Sequence, residues 1–392
     1  MEYVKLGDLI SLVIDYRGKT PLKLKGEWAS EGYRALSALN VKTGGLVAED
    51  KIRFVNEDLY HKWMKQEVNR GDILITSEAP FGQVLQWNSD EKIVLSQRLF
   101  AIRIKTDVDN RYVYYYMTSQ PFQGELKARA TGSTVEGLRQ PALMKCRLSL
   151  PELPLQHRIA SILSTYDTLI ENNTKRIRLL EKMAENLYKE WFVRFRYPGH
   201  ENVEMENGLP KGWTVEKVKD WCRVFTGRKD VNQTVEGGKY AFFSCSPNMF
   251  HSDEYIYDGK AVLIAGNGSY TGRTRYFEGK FDLYQRTYAV VSDRPDDDFM
   301  FYLFLRFKYD FEPLHNGGTR GSAIPYIVMK DITKYKFLYD TDIVKCYTER
   351  VKPMFDEIDN LQHQNSLLAR QRDLLLPRLM SGKLEVKEEL LE

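Results

Sequence analysis

Arg17-Gly18-Lys19-Thr20 has the closing residues of a phosphate-binding loop, in which backbone N–H groups cradle a polyphosphate and a lysine neutralises it. That chemistry needs a glycine five residues before Gly18, and Val13 stands there, so the nest of amides is missing and nucleotide hydrolysis is not expected. The glycine-rich run from Ala265 to Gly272 lacks GxGxxG spacing and leads into strand-like residues, which predicts a hairpin turn rather than a cofactor loop. No tetrapeptide of the form (D/N)PP(Y/F), with which amino-methyltransferases hold their target nitrogen, occurs. For metal-assisted cleavage, the only hints are Glu125 with Lys127 and the acidic run 293–298, and a metal site would need carboxylates converging from neighbouring strands. The acidic run reads as a solvated turn ahead of a helix. His61, His157, His200, His251, His315 and His363 fall at no metal-ligand or triad spacing. No residue is therefore assigned a catalytic or metal-binding role, and a binding protein is expected.

The remaining chemistry is cationic. Arg17, Lys19, Arg34 and Lys42 in the first half, and Arg228, Lys229, Arg273 and Arg275 in the second, stand in loops among Gly, Thr, Ser, Asn and Tyr. These residue types contact phosphates and base edges. Arg129, Ser133, Thr134, Arg139, Tyr270, Thr319 and Arg320 complete the candidate nucleic-acid set. Each taken singly is an ordinary surface cation or polar residue, and a formal net charge of +3 gives only a weak long-range pull on DNA.

What positions these loops is a duplication. The phrase from Leu95 to Ile102, LSQRLFAI, returns as LYQRTYAV from Leu283 to Val290. In the same order, YRALS at Tyr33 answers to YAFFS at Tyr240, GDILIT at Gly71 to GKAVLIA at Gly259, TGSTVEG to NGGTRG, and LMK ending at Lys145 to VMK ending at Lys330. A repeat of half the chain means two copies of one domain, with loop-length differences accounting for the drifting separation. Each copy alternates apolar and polar residues in short aromatic and β-branched runs, then turns helical, which predicts an α+β domain.

Behind each copy the period changes to seven. Ile159, Leu163, Tyr166, Ile170, Asn173, Ile177, Leu180, Ala184, Leu187 and Trp191 form one seam, and Tyr347, Val351, Met354, Ile358, Leu361, Asn365, Leu368, Leu375 and Leu379 another, interrupted by Arg372. A helix from Gln156 to Phe195 would extend on the order of 60 Å and needs a partner. An antiparallel pair, holding the two domains apart, is the simplest arrangement. Asn173 and Asn365 then lie at one height, either fixing register together or facing solvent. Pro353 should kink the second helix or begin its regular part, and Pro377 should disturb its last turns.

Two copies at a fixed separation suit a periodic ligand, and DNA is the obvious one. With 392 residues, 43% hydrophobic and 28% charged, the chain has room for two or three cores. Its four scattered cysteines, Cys146, Cys222, Cys245 and Cys346, exclude a zinc or disulfide framework and fit a reducing cytoplasm. Neither a signal peptide nor a membrane-length apolar run is present, so a cytoplasmic chain is expected.

The segments ATGSTVEGLRQPALMK, LPELPLQHRIA, LYKEWF and RDLLLPRLMSGKL, together with the duplication, make the whole chain resemble the specificity subunits of type I DNA restriction–modification systems. One departure is Leu155, where that family commonly has an acidic residue. The resemblance implies two pseudo-symmetric target recognition domains, 1–150 and 201–342, separated by an antiparallel coiled-coil pair of spacer helices, 151–200 and 343–392. Each domain would read half of a bipartite, asymmetric double-stranded DNA site. The helices would set the gap and dock two methyltransferase subunits and the restriction/translocase subunits. S-adenosylmethionine, ATP and Mg would be bound by those partners, with no cofactor on this chain. Two other readings remain open: a restriction–methylation enzyme fragment with its own activity, and a helix-mediated scaffold that ignores DNA.

Overall fold

Ile73, Leu74, Ile75 and Thr76 are all buried, as a central strand with both faces covered requires. Around them the computed structural model, which describes residues 2–131, 136–292, 294, 298–315 and 325–386, builds two units. One comprises Met1–Asn173 with His363–Glu392, the other Thr174–Gln362.

The first unit contains strands β1 (Glu2–Lys5), β2 (Ile10–Asp15), β3 (Tyr33–Leu36), β4 (Arg53–Val55), β5 (Ile73–Thr76), β6 (Val84–Gln86), β7 (Ile93–Leu95), β8 (Leu99–Ile104) and β9 (Arg147–Leu150). One sheet runs β2-β8-β5-β6, a second β4-β3-β7, and β1 pairs with β9. Only β3 and β7 run parallel in these named ladders. Helices α1 (Asn110–Thr118) and α2 (Gln120–Ala128) cover a sheet face, Tyr112 to Met117 being buried. The Asp109 carboxylate caps α1 by accepting from the Arg111 and Tyr112 N–H groups at 2.8 and 3.1 Å.

The second unit contains β10 (Thr214–Lys217), β11 (Cys222–Thr226), β12 (Tyr240–Phe243), β13 (Met249–Ser252), β14 (Tyr257–Ala265), β15 (Thr274–Leu283), β16 (Thr287–Ser292) and β17 (Lys336–Tyr339). Its main sheet runs β11-β16-β14-β15-β12-β13, and β10 pairs with β17. This is the strand order of the first unit, with the single long β15 replaced there by the two short strands β6 and β7. The parallel pair recurs as β12 and β15.

Strand register makes the correspondence residue by residue. Asp15 faces Phe100 and Thr226 faces Tyr288; Leu99 faces Thr76 and Thr287 faces Ala265. Arg98 therefore matches Arg286, and Arg17 matches Arg228. Two segments differ from the sequence expectation. The first copy inserts the helix Glu57–Trp63 between β4 and β5, and this accounts for part of the drift in separation, a longer connection between β3 and β4 accounting for much of the rest. The echo of LMK in VMK is one helical turn out of register. The short helix Gln140–Met144 is capped by Arg139 and Lys145, and its counterpart Met329–Thr333 by Val328 and Lys334, so Lys145 matches Lys334 and not Lys330. Buried Leu143 and Ile332 coincide in that register. Apolar positions four apart share a helix face, so sequence alone cannot choose between the two alignments.

Two long helices follow the domains: α3 (Leu153–Tyr188), which continues as a π-helical turn at Lys189–Val193, and α4 (Thr341–Met380). Within the first unit, Ile159 and Leu163 are buried in one cluster with Leu379 and Met380. Within the second, Ala184, Tyr188 and Trp191 share a cluster with Tyr347 and Val351. The helices are thus antiparallel, an early stretch of α3 meeting the late stretch of α4. None of Tyr166, Ile170, Ile177, Leu180, Met354, Ile358, Leu361, Asn365 and Leu368 is exposed, Ile358 and Leu361 being buried. Asn173 is buried at 8% exposure, and its amide donates, at a long 3.5 Å, to Gln364 beside Asn365. Pro353 neither begins the helix nor ends it, and α4 also runs through Pro377; both rings are exposed. On that outer face, water can satisfy the carbonyl that each proline leaves without an N–H donor.

Candidate nucleic-acid interface

In the first unit four segments meet at one edge of the sheet. The loop after β2 brings Arg17, whose guanidinium holds Asp15 at 2.6 Å and donates to the Leu138 carbonyl at 3.2 Å. The residue after β5, Ser77, donates its N–H to the Arg98 carbonyl at 2.8 Å and accepts from the Leu138 N–H at 2.9 Å. The turn between β7 and β8 contributes Gln97 and Arg98, and the far flank of the Gly-Ser-Thr loop arrives at Leu138. Gly18, Thr20, Lys23, Gln97 and Arg98 line a hollow of about 670 Å³ there. Arg17, Lys23 and Arg98 outnumber its two carboxylates, Asp15 and Glu78, so the hollow favours an anion.

The second unit repeats the construction. Gly266 donates its N–H to the Arg286 carbonyl at 2.9 Å and accepts from Ile327 at 3.0 Å, as Ser77 does with Arg98 and Leu138. A Cβ at Gly266 would lie 2.4 Å from that Arg286 oxygen, so glycine permits the approach. The loop after β11 joins the edge through the Gln285 N–H, which donates to the Lys229 carbonyl at 3.0 Å. Both domains therefore gather the loop after the first sheet strand, the end of the central strand, the Gln-Arg turn and one flank of the glycine-threonine loop.

The candidate cations are not equivalent within this frame. Lys19 donates to the Trp63 carbonyl at 2.6 Å and lies 4.1 Å over the Tyr16 ring. Burial, and then neighbouring Lys65, pulls its pKa below the usual lysine value. Arg34 is held between Glu49 at 3.0 Å and Glu91 at 3.2 Å. Arg129 pairs with Glu125 one turn earlier at 2.7 Å. Lys229 binds Asp282 at 2.7 Å and Glu254 at 2.9 Å, and the Asp282 hydrogen bond leads in raising its pKa. Lys42, Arg139 and Arg228 are exposed. Tyr270, Arg273 and Arg275 line a separate hollow of about 1110 Å³ in the second unit, with Arg273 5.7 Å over the Tyr270 ring. Arg275 is partly committed, donating to the Pro247 carbonyl. Ser133, Thr134, Thr319 and Arg320 lie outside the described residues.

The sequence reading passes over Gln97, Arg98, Gln285 and Arg286, although they lie inside the phrase that reveals the repeat. The signal was present: an identical dipeptide at turn positions that no core needs. Among the described residues, no group of three or more His, Cys, Asp or Glu side chains is arranged to hold a metal ion, and no helix is long and apolar enough to cross a membrane.

Residues 1–182 and 210–338 match a family model described as the type I restriction modification DNA specificity domain. Over 345 residues the chain is 28% identical to the MjaIX type I restriction enzyme specificity subunit of Methanocaldococcus jannaschii, covering 81% of this chain and 79% of that one. The MjaVIII specificity subunit of the same organism is 23% identical over 418 residues, covering 98% and 93%. A crystal structure of a type I restriction–modification S subunit from M. genitalium shares the fold, with a TM-score of 0.65 at 18% identity over 96% of this chain and 95% of that one.

Proposed function

The chain belongs to the type I restriction modification DNA specificity family, and on that premise we propose that it is the non-catalytic subunit that selects the DNA sequence to be modified or cut. Each unit reads one half of a bipartite, asymmetric site in double-stranded DNA. The helices α3 and α4 set the number of base pairs between the halves and carry two methyltransferase subunits and the restriction subunits. S-adenosylmethionine, ATP and Mg belong to those partners, and the assembly works in the cytoplasm with the chromosome.

The observation that carries this reading is the twofold occurrence of one loop edge, built alike and furnished with different side chains: Glu78 and Arg139 in one copy, Asn267 and Val328 at the matching positions of the other. Two readers with different tastes need such an arrangement, since strand frames supply position and loop side chains supply letters. Docking is supported by apolar side chains that face solvent on α3, Leu179 at 64% and Met183 at 54% exposure.

Mapping methylated adenines in a genome carrying the intact system tests it. The expected pattern is two short fixed blocks around a constant gap. Arg273→Ala should relax the block read by the second unit alone, at a cost of about 1–3 kcal/mol for a base contact. A single continuous site, or methyl transfer by the purified chain, overturns the proposal.

A further inference from the structure

The two copies agree where they share a core and differ where loops face solvent. Ser77, Glu78 and Arg139 in one become Gly266, Asn267 and Val328 in the other. Against that divergence, Gln-Arg persists in the turn before β8 and before β16, and Arg98 and Arg286 are both exposed.

The fold uses these arginines through their carbonyls, which accept from Ser77 and Gly266, and any residue supplies a carbonyl. Arg98 moreover holds φ +61°, a conformation that favours glycine over a long side chain. Its guanidinium meets Glu78 at 3.1 Å, with the two side chains 51% and 37% exposed, a pairing that an incoming anion displaces readily. An arginine kept at the same exposed turn position in both copies, and in the first at a backbone conformation that favours glycine, is retained for what it touches outside the chain.

Two domains that read different half-sites cannot obtain the letters in which those half-sites differ from the same residue at the same place. What the half-sites share is the sugar–phosphate backbone. We propose that Arg98 and Arg286 are matched phosphate-gripping residues, one per domain, that seat each loop edge on the DNA backbone and leave base reading to the side chains in which the copies differ. The planar guanidinium fork suits phosphate oxygens. Arg17 lines the same hollow as Arg98, and its register match Arg228 precedes Lys229, whose carbonyl accepts from the Gln285 N–H. This inference rests on the chain being a DNA reader.

The test uses the complete methyltransferase complex containing the full chain. Binding to a cognate and an unrelated duplex is titrated between 50 and 200 mM salt, for the unsubstituted chain and for Arg98→Ala and Arg286→Ala. The expected result is the same fold-loss on both duplexes, a log–log salt slope shallower by about 0.9 per arginine removed, and an unchanged methylated sequence. Arg286→Lys should restore the slope, since a point charge suffices for a phosphate. Arg98→Gly should lose binding as Arg98→Ala does without a lower melting temperature, because glycine suits φ +61°. A changed letter in either half-site, or unaltered affinity and slope, overturns the phosphate grip while leaving the DNA-reading function standing. Loss of salt-dependent, sequence-selective binding in the unsubstituted complex overturns both.

Discussion

Arg306 lies in the core of the second unit with 11% of its side chain exposed, paired with Asp310 at 3.0 Å one turn along the same helical stretch. The Tyr188 hydroxyl on α3 donates to that same carboxylate at 2.6 Å, so a single aspartate ties a spacer helix to the domain and neutralises a buried cation. In the first unit Asp167 on α3 does the corresponding work, accepting from Tyr115 at 2.5 Å and pairing with Arg372 on α4. Arg372 thus interrupts the apolar seam because it has a carboxylate to meet. Removing one member of such a pair leaves the other desolvated and uncompensated, which costs more than the pair itself contributes. Asp310→Ala should therefore destabilise the chain by about 3 kcal/mol, read as a lowered thermal midpoint, with Arg306→Met better tolerated than Asp310→Ala. The Cys146 thiol, pushed up to about 11 by burial, is structural rather than reactive.

At the scale of elements, the seven-residue period predicted the seam because helix packing depends on where apolar side chains recur, a property written directly into the sequence. The start of α1 is local, set by its Asp109 cap, but the opening of α3 is not: Asp109 also meets His157 at 2.5 Å, and its N–H donates to Gln156 at 3.0 Å, which fixes α3 against the domain. Asn173 is a polar member of the seam. It is buried and makes a long bond to Gln364, so its amide is poorly compensated. Asn173→Leu should raise the melting temperature by replacing that amide with apolar contact, of order 1 kcal/mol, while weakening the axial register of the pair. An unchanged or lower melting temperature in calorimetry would contradict this. The one-turn error at Lys330 has the complementary cause. Short helices offer too few apolar positions to fix an alignment, and only the caps and the buried Ile332 decide it.

For the molecule as a whole, compactness divides the chain inside both long helices, at Asn173 and Thr174 and again at Gln362 and His363, whereas the family resemblance implies boundaries at the ends of the helices. Each helix half belongs to the core of the domain it lies against, and burial, not sequence order, defines a unit. If the helices measure the gap, four residues inserted into each, opposite one another, should lengthen it by about 6 Å, or about two base pairs, and leave the letters of both blocks unchanged. Methylation mapping of that variant reads the result, and an unaltered gap refutes the measuring role. The duplication, the α+β class and the helix pair were all legible in the sequence, because period, pattern and composition are properties of neighbours along the chain. Which cations are spent on internal carboxylates, as Arg34 and Lys229 are, and which side chains line a shared edge, as Arg17 and Arg98 do, depend on residues far apart in sequence. Only the folded chain brings those residues within hydrogen-bonding distance, so only the tertiary structure could sort them.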